Sequence, residues 1–135
     1  MFKRVAKFNE EVLGMKDRDM TLPLKDEHNW LKGVIDEEKK ELDIAFRNNN
    51  YVGYIDALID NIYFCLGGLK RIGLDAEIVE EIFEAIHQCN MQKVKGKKQR
   101  ETMSDDDAIK PFEWRSPEMT IIDILDKRQE NANNI

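Results

Sequence analysis

Proline and cysteine are scarce in this chain, and strand-like patterning is missing. Proline occurs only at Pro23, Pro111 and Pro117, so no helix breaker of that kind falls between Leu24 and Ile109. Alternating runs rich in β-branched residues are absent, which argues against a sheet protein. The two cysteines, Cys65 and Cys89, belong to no C-x2-C pair. His28 and His87 are far from a ligand spacing, so these residues form no zinc pattern and two buried thiols are expected. No apolar stretch reaches the roughly 20 residues that a bilayer requires. The run from Ile55 to Leu69 is interrupted by Asp56, Asp60 and Asn61. The segment Met1 to Ala6 lacks the apolar core and cleavage site of a signal peptide. These absences lead us to expect a cytoplasmic protein with no membrane partner. Positive charge is also short, the formal net charge being −6. One basic stretch, Lys93 to Arg100, is too small to reverse that sign. It suits a phosphate-bearing small molecule as readily as a polymer, and a nucleic acid polymer is not an expected partner.

What is present is a chain of 135 residues, 41% apolar and 36% charged, which is enough for one domain with its own core. There is no internal repeat. Phe2, Val5, Phe8 and Val12 are spaced for one face of a first helix over Phe2 to Leu13, with Gly14 as the stop. A second helix is expected from Lys25 or Asp26 to Phe46, ending in Asn48-Asn49-Asn50. A third runs from Val52 to Ile72 and closes at Gly73. Asp75 caps a fourth from Ala76 to about Val94. Lys95 to Asp107 reads as a polar loop, followed by an aromatic and proline-bearing tail and a short helix from Glu118 to Arg128. The predicted fold is all-α, an antiparallel bundle of four to five helices in a single domain. The core helices span about 25–94, and the loop and tail span about 95–135.

The chemistry shows on the second helix. At about 100° per residue, Leu31, Val34, Ile35, Leu42 and Ala45 fall within about 60° of Glu38. Glu38 thus sits inside the apolar stripe, with Glu41 at its shoulder and Glu37 at its edge. A carboxylate there needs a partner, which is a cation, a basic side chain or a proton. On the third helix, Leu58, Ile62, Cys65 and Leu69 make one apolar face. The other face carries Asp56, Asp60 and Gly67, with Gly53 before them. Asp56 and Asp60 are four apart and repel. A short Asn-rich connection favours antiparallel packing, which brings Glu38 and Glu41 opposite Asp56 and Asp60. Several carboxylates facing one space make a hard oxygen site that suits Mg²⁺. The structural alternatives are a solvated acidic face, above all for Glu37, and a buried salt bridge to Lys93. On the fourth helix Ile78, Ile82, Ile86 and Cys89 form a stripe that Lys93 continues, with Asn90 beside it. Lys93 can reach an acidic site or a phosphate, or simply snorkel at the helix end.

Together these residues resemble the all-α nucleoside triphosphate pyrophosphohydrolases, which include MazG-like proteins, phosphoribosyl-ATP pyrophosphohydrolase and the dimeric dUTPases. Glu38-Lys39-Lys40-Glu41 matches the family's E-x-x-E, and Asp56-Ala57-Leu58-Ile59-Asp60 with Tyr63 resembles its second acidic motif. Gly67 and Gly73-Leu74-Asp75 look like the glycines that follow. His87-Gln88-Cys89-Asn90-Met91-Gln92-Lys93 looks like the H-x-x-N-M-x-K of MazG-like proteins, many of them phage-borne. Lys110-Pro111 with Trp114 and Pro117 looks like their K-P-x-x-W-x-x-P. The resemblance covers roughly Lys32 to Pro117. One departure stands out, for Ala57 occupies the position where the second motif usually has Glu, and Asp56 is the nearest substitute.

The resemblance implies hydrolysis of a (d)NTP or related nucleotide between the α and β phosphates, with Mg²⁺ as cofactor and Mn²⁺ as its alternative. It implies Glu38, Glu41 and Asp60 as metal ligands, with Asp56 as a fourth, and Glu37 as the base. Asn90, Lys93, Lys97, Arg100 and Trp114 become candidates for substrate and phosphate contacts, although Trp114 can equally be a packed anchor for the tail. It also implies a homodimer or homotetramer. A non-catalytic nucleotide or alarmone binder on the same fold, and a helical protein-interaction module, are the other readings.

Overall fold

The computed structural model describes residues 1–96 and 107–133. Lys97 and Arg100, two of the candidate phosphate contacts, lie outside the described residues. Among the described residues 70% are helical, in five helices beside one small two-stranded ladder, as the all-α expectation requires. The elements are α1 (Phe2–Glu11), α2 (Lys25–Arg47), α3 (Tyr51–Arg71), α4 (Ala76–Met91), β1 (Val94–Gly96), β2 (Asp107–Ile109) and α5 (Glu118–Asn133). They fall into two compact units, Met1–Ala76 and Glu77–Ile135.

The first unit is a helical hairpin, α2 and α3, with α1 packed on α3. Leu24 precedes α2 and has no side chain that could cap it. Its backbone N–H instead donates to the Glu27 carboxylate at 2.9 Å, half of a capping box. Glu27 also receives both terminal nitrogens of Arg18, at 3.2 and 3.1 Å. The Leu24 N–H and then the Arg18 guanidinium hold its carboxyl below the ordinary range. The hairpin turns on Asn48-Asn49-Asn50. Asn49 takes a left-handed φ of 50°, which asparagine tolerates better than most residues. The Asn50 side chain accepts the Gly53 N–H at 3.1 Å and starts α3.

Small residues let the two helices approach. A methyl group placed at Gly53 would lie 3.4 Å from Ala45 Cβ, and one at Gly68 would lie 2.8 Å from a Leu31 methyl. Ala45 thus faces Gly53, and Leu31 faces Gly68, so the helices run antiparallel. The buried residues of α3 are Ala57, Gly67 and Gly68. The side with Gly53, Ala57, Asp60 and Gly68 therefore packs inward, while Asp56 and the apolar side stay open. Ile55 is 57% exposed, Ile59 55% and Ile62 45%. Cys65 is exposed as well, and Cys89 only half-buried, so the expected pair of buried thiols is not observed.

On α1, Phe2 and Val5 are buried as their spacing predicts, and Phe8 stacks edge-on against Tyr63 at 5.7 Å. Val12 is exposed because the helix stops at Glu11, short of the predicted Leu13. Lys70 joins the ends of the unit by pairing with Glu10 at 2.6 Å and with Asp17. Gly73 ends α3 with φ of 89°, and a methyl group there would meet the Arg18 and Asp19 carbonyl oxygens at 2.6 and 2.8 Å. Gly73→Ala is therefore expected to cost about 2 kcal/mol or more, since strain and backbone overlap add. A urea midpoint equal to that of the parent would refute this.

Three expectations need correction. α4 ends at Met91 rather than Val94, and Val94 instead begins a strand. β1 and β2 pair antiparallel, Val94 with Ile109 and Gly96 with Asp107, so the segment read as plain loop begins and ends in a ladder. The β-branched Val94 and Ile109 favour it, and three residues are too few to show alternation in sequence. Finally, α3 is long and apolar enough, by length and composition alone, to cross a membrane. Asp56 and Asp60 do not offset its many Ile and Leu residues. In the second unit, α5 extends beyond the predicted Arg128 to Asn133, and Arg128 pairs with Glu77 of α4 at 2.6 Å.

Candidate functional site

The antiparallel register decides which acids meet. Glu38 lies midway between Leu31 and Ala45 on α2, and Asp60 and Asn61 lie midway between Gly53 and Gly68 on α3. Glu38 is consequently the buried acid of the hairpin, only 8% exposed. Asp60 is half-buried, while Glu37, Glu41 and Asp56 are exposed. The burial of Glu38 follows from its place in the apolar stripe, where Leu31, Val34, Ile35 and Leu42 are half-buried and Ala45 is fully so.

One oxygen of Glu38, Oε2, is buried with no hydrogen-bond partner. Burial raises the carboxyl above its ordinary range, and Glu41, Asp60, Asp56 and Glu37 push it further, in that order. Five acids thus share one field. Among the described residues none of the five is in an ion pair, and Lys70 is taken by Glu10 and Asp17. Leaving a buried oxygen uncompensated is unfavourable, and a hard cation is the partner that an all-oxygen, all-anionic surround suits. The side chains repel and stand apart, for among the described residues no three acids, histidines or cysteines are gathered tightly enough to hold an ion. Ala57 is buried at 2% exposure, and its carbonyl accepts from Asn61 at 2.9 Å, so no acid occupies that motif position. A cavity of about 460 Å³ lies elsewhere in this unit, beside Lys3, Lys7, Glu10 and Lys70. It holds none of the five acids.

The second unit gathers the other candidates. The Lys93 ammonium donates to Asn90 Oδ1 at 2.6 Å and lies 5.4 Å from the centre of the Trp114 ring. The Trp114 indole N–H donates to the Cys89 carbonyl at 2.7 Å, so the ring is anchored to the end of α4. Lys110 stands 4.3 Å from the same ring centre. Sequence reading did not single out Lys110 as a site residue, although its spacing of four from Trp114 was visible.

No individual curated protein matches the chain. A family model, phosphoribosyl-ATP pyrophosphohydrolase, matches residues 5–90, which includes both acidic motifs and the hairpin that pairs them. The chain therefore belongs to the phosphoribosyl-ATP pyrophosphohydrolase family, among the MazG-like nucleotide pyrophosphohydrolases.

Proposed function

We propose that the protein is a cytoplasmic, Mg²⁺-dependent pyrophosphohydrolase that cleaves a (d)NTP or related nucleotide between its α and β phosphates. The observation that carries this reading is the buried, unpartnered Glu38 oxygen within a field of four further acids. Glu38, Glu41 and Asp60 would hold the ion, with Asp56 in place of the acid missing at Ala57. When bound, Mg²⁺ (or Mn²⁺) screens the carboxylates from the polyphosphate and stabilises charge at the attacked phosphorus. Glu37, exposed beside Glu38, takes the proton from the attacking water. The water oxygen bonds to the α phosphorus, the bond to the bridging oxygen breaks, and pyrophosphate leaves. Asn90 and Lys93 hold phosphate oxygens, with Lys97 and Arg100 assisting.

A nucleotide panel with Mg²⁺, read by pyrophosphate release, tests this directly. Turnover that EDTA abolishes is expected. Absence of turnover on every nucleotide by the folded protein would remove the reading. Ala57 favours a second reading, a non-catalytic nucleotide binder. Tight Mg²⁺-dependent binding without product would select it.

We also propose that the chain works as a homodimer or homotetramer through the open side of α3. Tyr51, Ile55, Leu58, Ile62, Cys65 and Leu69 alternate at spacings of four and three, the pattern of a helix-packing seam. A seam that narrow suits a partner helix better than lipid, which favours apolar residues all round.

A further inference from the structure

We propose that the cavity between α1 and the end of α3 is a second small-molecule site, suited to a nucleoside monophosphate and separate from the acidic hairpin. It uses neither the metal nor the five acids, and so goes beyond the proposed reaction. Lys70, in its wall, follows Asp60 on the same helix by ten residues. That spacing places it about 15 Å further along the axis.

The cavity has a volume of about 460 Å³, which is ordinary for a site that takes a metabolite. Its walls come from the first unit alone. On α1 the lining residues Phe2, Ala6, Glu10, Lys3 and Lys7 fall, in that order around the helix, within an arc of about 140° at 100° per residue. One edge of this strip is apolar, and Leu74 faces the same space. Phe2 and Leu74 are both buried, so the apolar edge is held by the fold. The other edge is a ladder of Lys3, Lys7 and Glu10 at spacings of four and three.

Lys70 supplies the deepest charge. Its side chain is only 10% exposed, and its ammonium bridges Glu10 of α1 and Asp17 of the following loop. Hydrogen bonds to Asp17 and then to Glu10 hold it above its ordinary range, so it stays charged. The ammonium meets one oxygen of each carboxylate, and each has a second oxygen that can accept from a ligand. Lys3 and Lys7 are exposed and stand at the rim. Two like charges one turn apart repel, and the docking of α1 does not account for them. That docking is carried by Phe2, Val5 and Asn9, the buried residues of the helix.

Three kinds of group therefore meet in one small space. A phosphate dianion accepts from both rim lysines and cancels their repulsion. A flat ring packs against the Phe2 edge. Base amino groups or sugar hydroxyls donate to the second oxygens of Glu10 and Asp17. A nucleoside monophosphate carries all three on one frame, whereas inorganic phosphate has neither the ring nor the sugar. Phe2 and Lys3 lie outside residues 5–90, so their part in the site belongs to this chain and not to the matched family segment.

The test is calorimetry on the full chain in EDTA, with adenosine and cytidine 5′-monophosphates as probes at constant ionic strength. Without metal the acidic hairpin repels phosphate, so saturable heat reports the cavity. Binding of at least one of the two is expected. Lys3→Ala combined with Lys7→Ala should weaken it at least about tenfold. Both side chains are exposed, so the fold is kept. Ala6→Leu fills the cavity without changing its charge and should weaken binding by a similar factor. Glu38→Gln should leave it unchanged, and inorganic phosphate should bind at least about tenfold more weakly than the nucleotide. The site is overturned by absence of heat with both nucleotides, by parent-like binding in the double-lysine variant or in Ala6→Leu, or by loss of binding in Glu38→Gln. Phosphate bound as tightly as the nucleotide overturns the assignment to a nucleotide. Binding that depends on Lys3 and Lys7, in a protein that hydrolyses no nucleotide, keeps this site and removes the proposed reaction. Turnover without such binding does the reverse.

Discussion

Replacing Glu38 with glutamine is expected to lower nucleotide hydrolysis at least about a hundredfold, in line with removal of one group that stabilises charge at a reacting centre. The same change should make the metal-free protein harder to melt. Both effects share a cause, because Glu38 is buried, lacks a partner at Oε2 and is repelled by Glu41, Asp60, Asp56 and Glu37. Its folded-state pKa is raised above the ordinary 4.5. A raised carboxyl means that the folded state binds the proton more tightly than the unfolded chain does. The contribution to stability is therefore full below pH 4.5 and is lost as pH rises through the folded-state value. Thermal melts in EDTA should fall across that window for the parent and stay flatter for Glu38→Gln. Mg²⁺ should then raise the parent's Tm at pH 8, where the carboxylates are ionised, and do much less at pH 4.5. A parent melt that ignores Mg²⁺ at pH 8 would rule out the metal site. Parallel pH curves for parent and variant would rule out the electrostatic argument.

The second large effect is expected on α3. Ile55→Asp combined with Ile59→Asp should convert an oligomer to a monomer, read by light scattering on a sizing column. These side chains are more than half exposed, so a charge there is tolerated by the chain's own fold. In an assembly the same charges would be buried without partners, a severe cost. Completing the burial of several such isoleucines and leucines is worth on the order of 5 kcal/mol per chain, at about 1.5–3 kcal/mol for full burial of each. A parent that is monomeric at micromolar concentration removes the oligomer. A parent recovered with lipid vesicles would instead assign α3 to a membrane, which its length and composition permit.

The acidic hairpin was legible in sequence because two periodicities contradicted themselves. Glu38 stood in an apolar stripe, and Asp56 and Asp60 stood beside glycines. Side-chain size carried what polarity did not, since Gly53, Ala57 and Gly68 make the side of α3 that carries Asp60 the packed one. The ladder of Val94 and Ile109 was illegible because its partners are far apart in sequence and each strand is only three residues long. Lys110 entered the reading of the sequence only as part of the K-P-x-x-W-x-x-P resemblance, which gives it no role. Only the fixed indole of Trp114 gives it a direction. The exposure of the Ile55–Ile62 side was likewise hidden, because an apolar face reads the same whether its own chain or another covers it.

The asparagine turn acts as the ruler of the acidic site. Nothing near Glu38 determines that Asp60 should be its neighbour. That pairing is counted out from the end of the hairpin, where Asn49 reverses the chain and Asn50 starts α3. One residue inserted there would advance α3 by about 1.5 Å and turn its faces by about 100°. Each residue of α3 would take the place of the one after it, so Val52 would replace Gly53 against Ala45 and Ile59 would replace Asp60 beside Glu38. The side chains of the turn can change so long as a left-handed residue and a cap remain, but its length cannot. An insertion beside Asn49 would thus be as damaging to the acidic site as the loss of an acid, without altering any acidic residue.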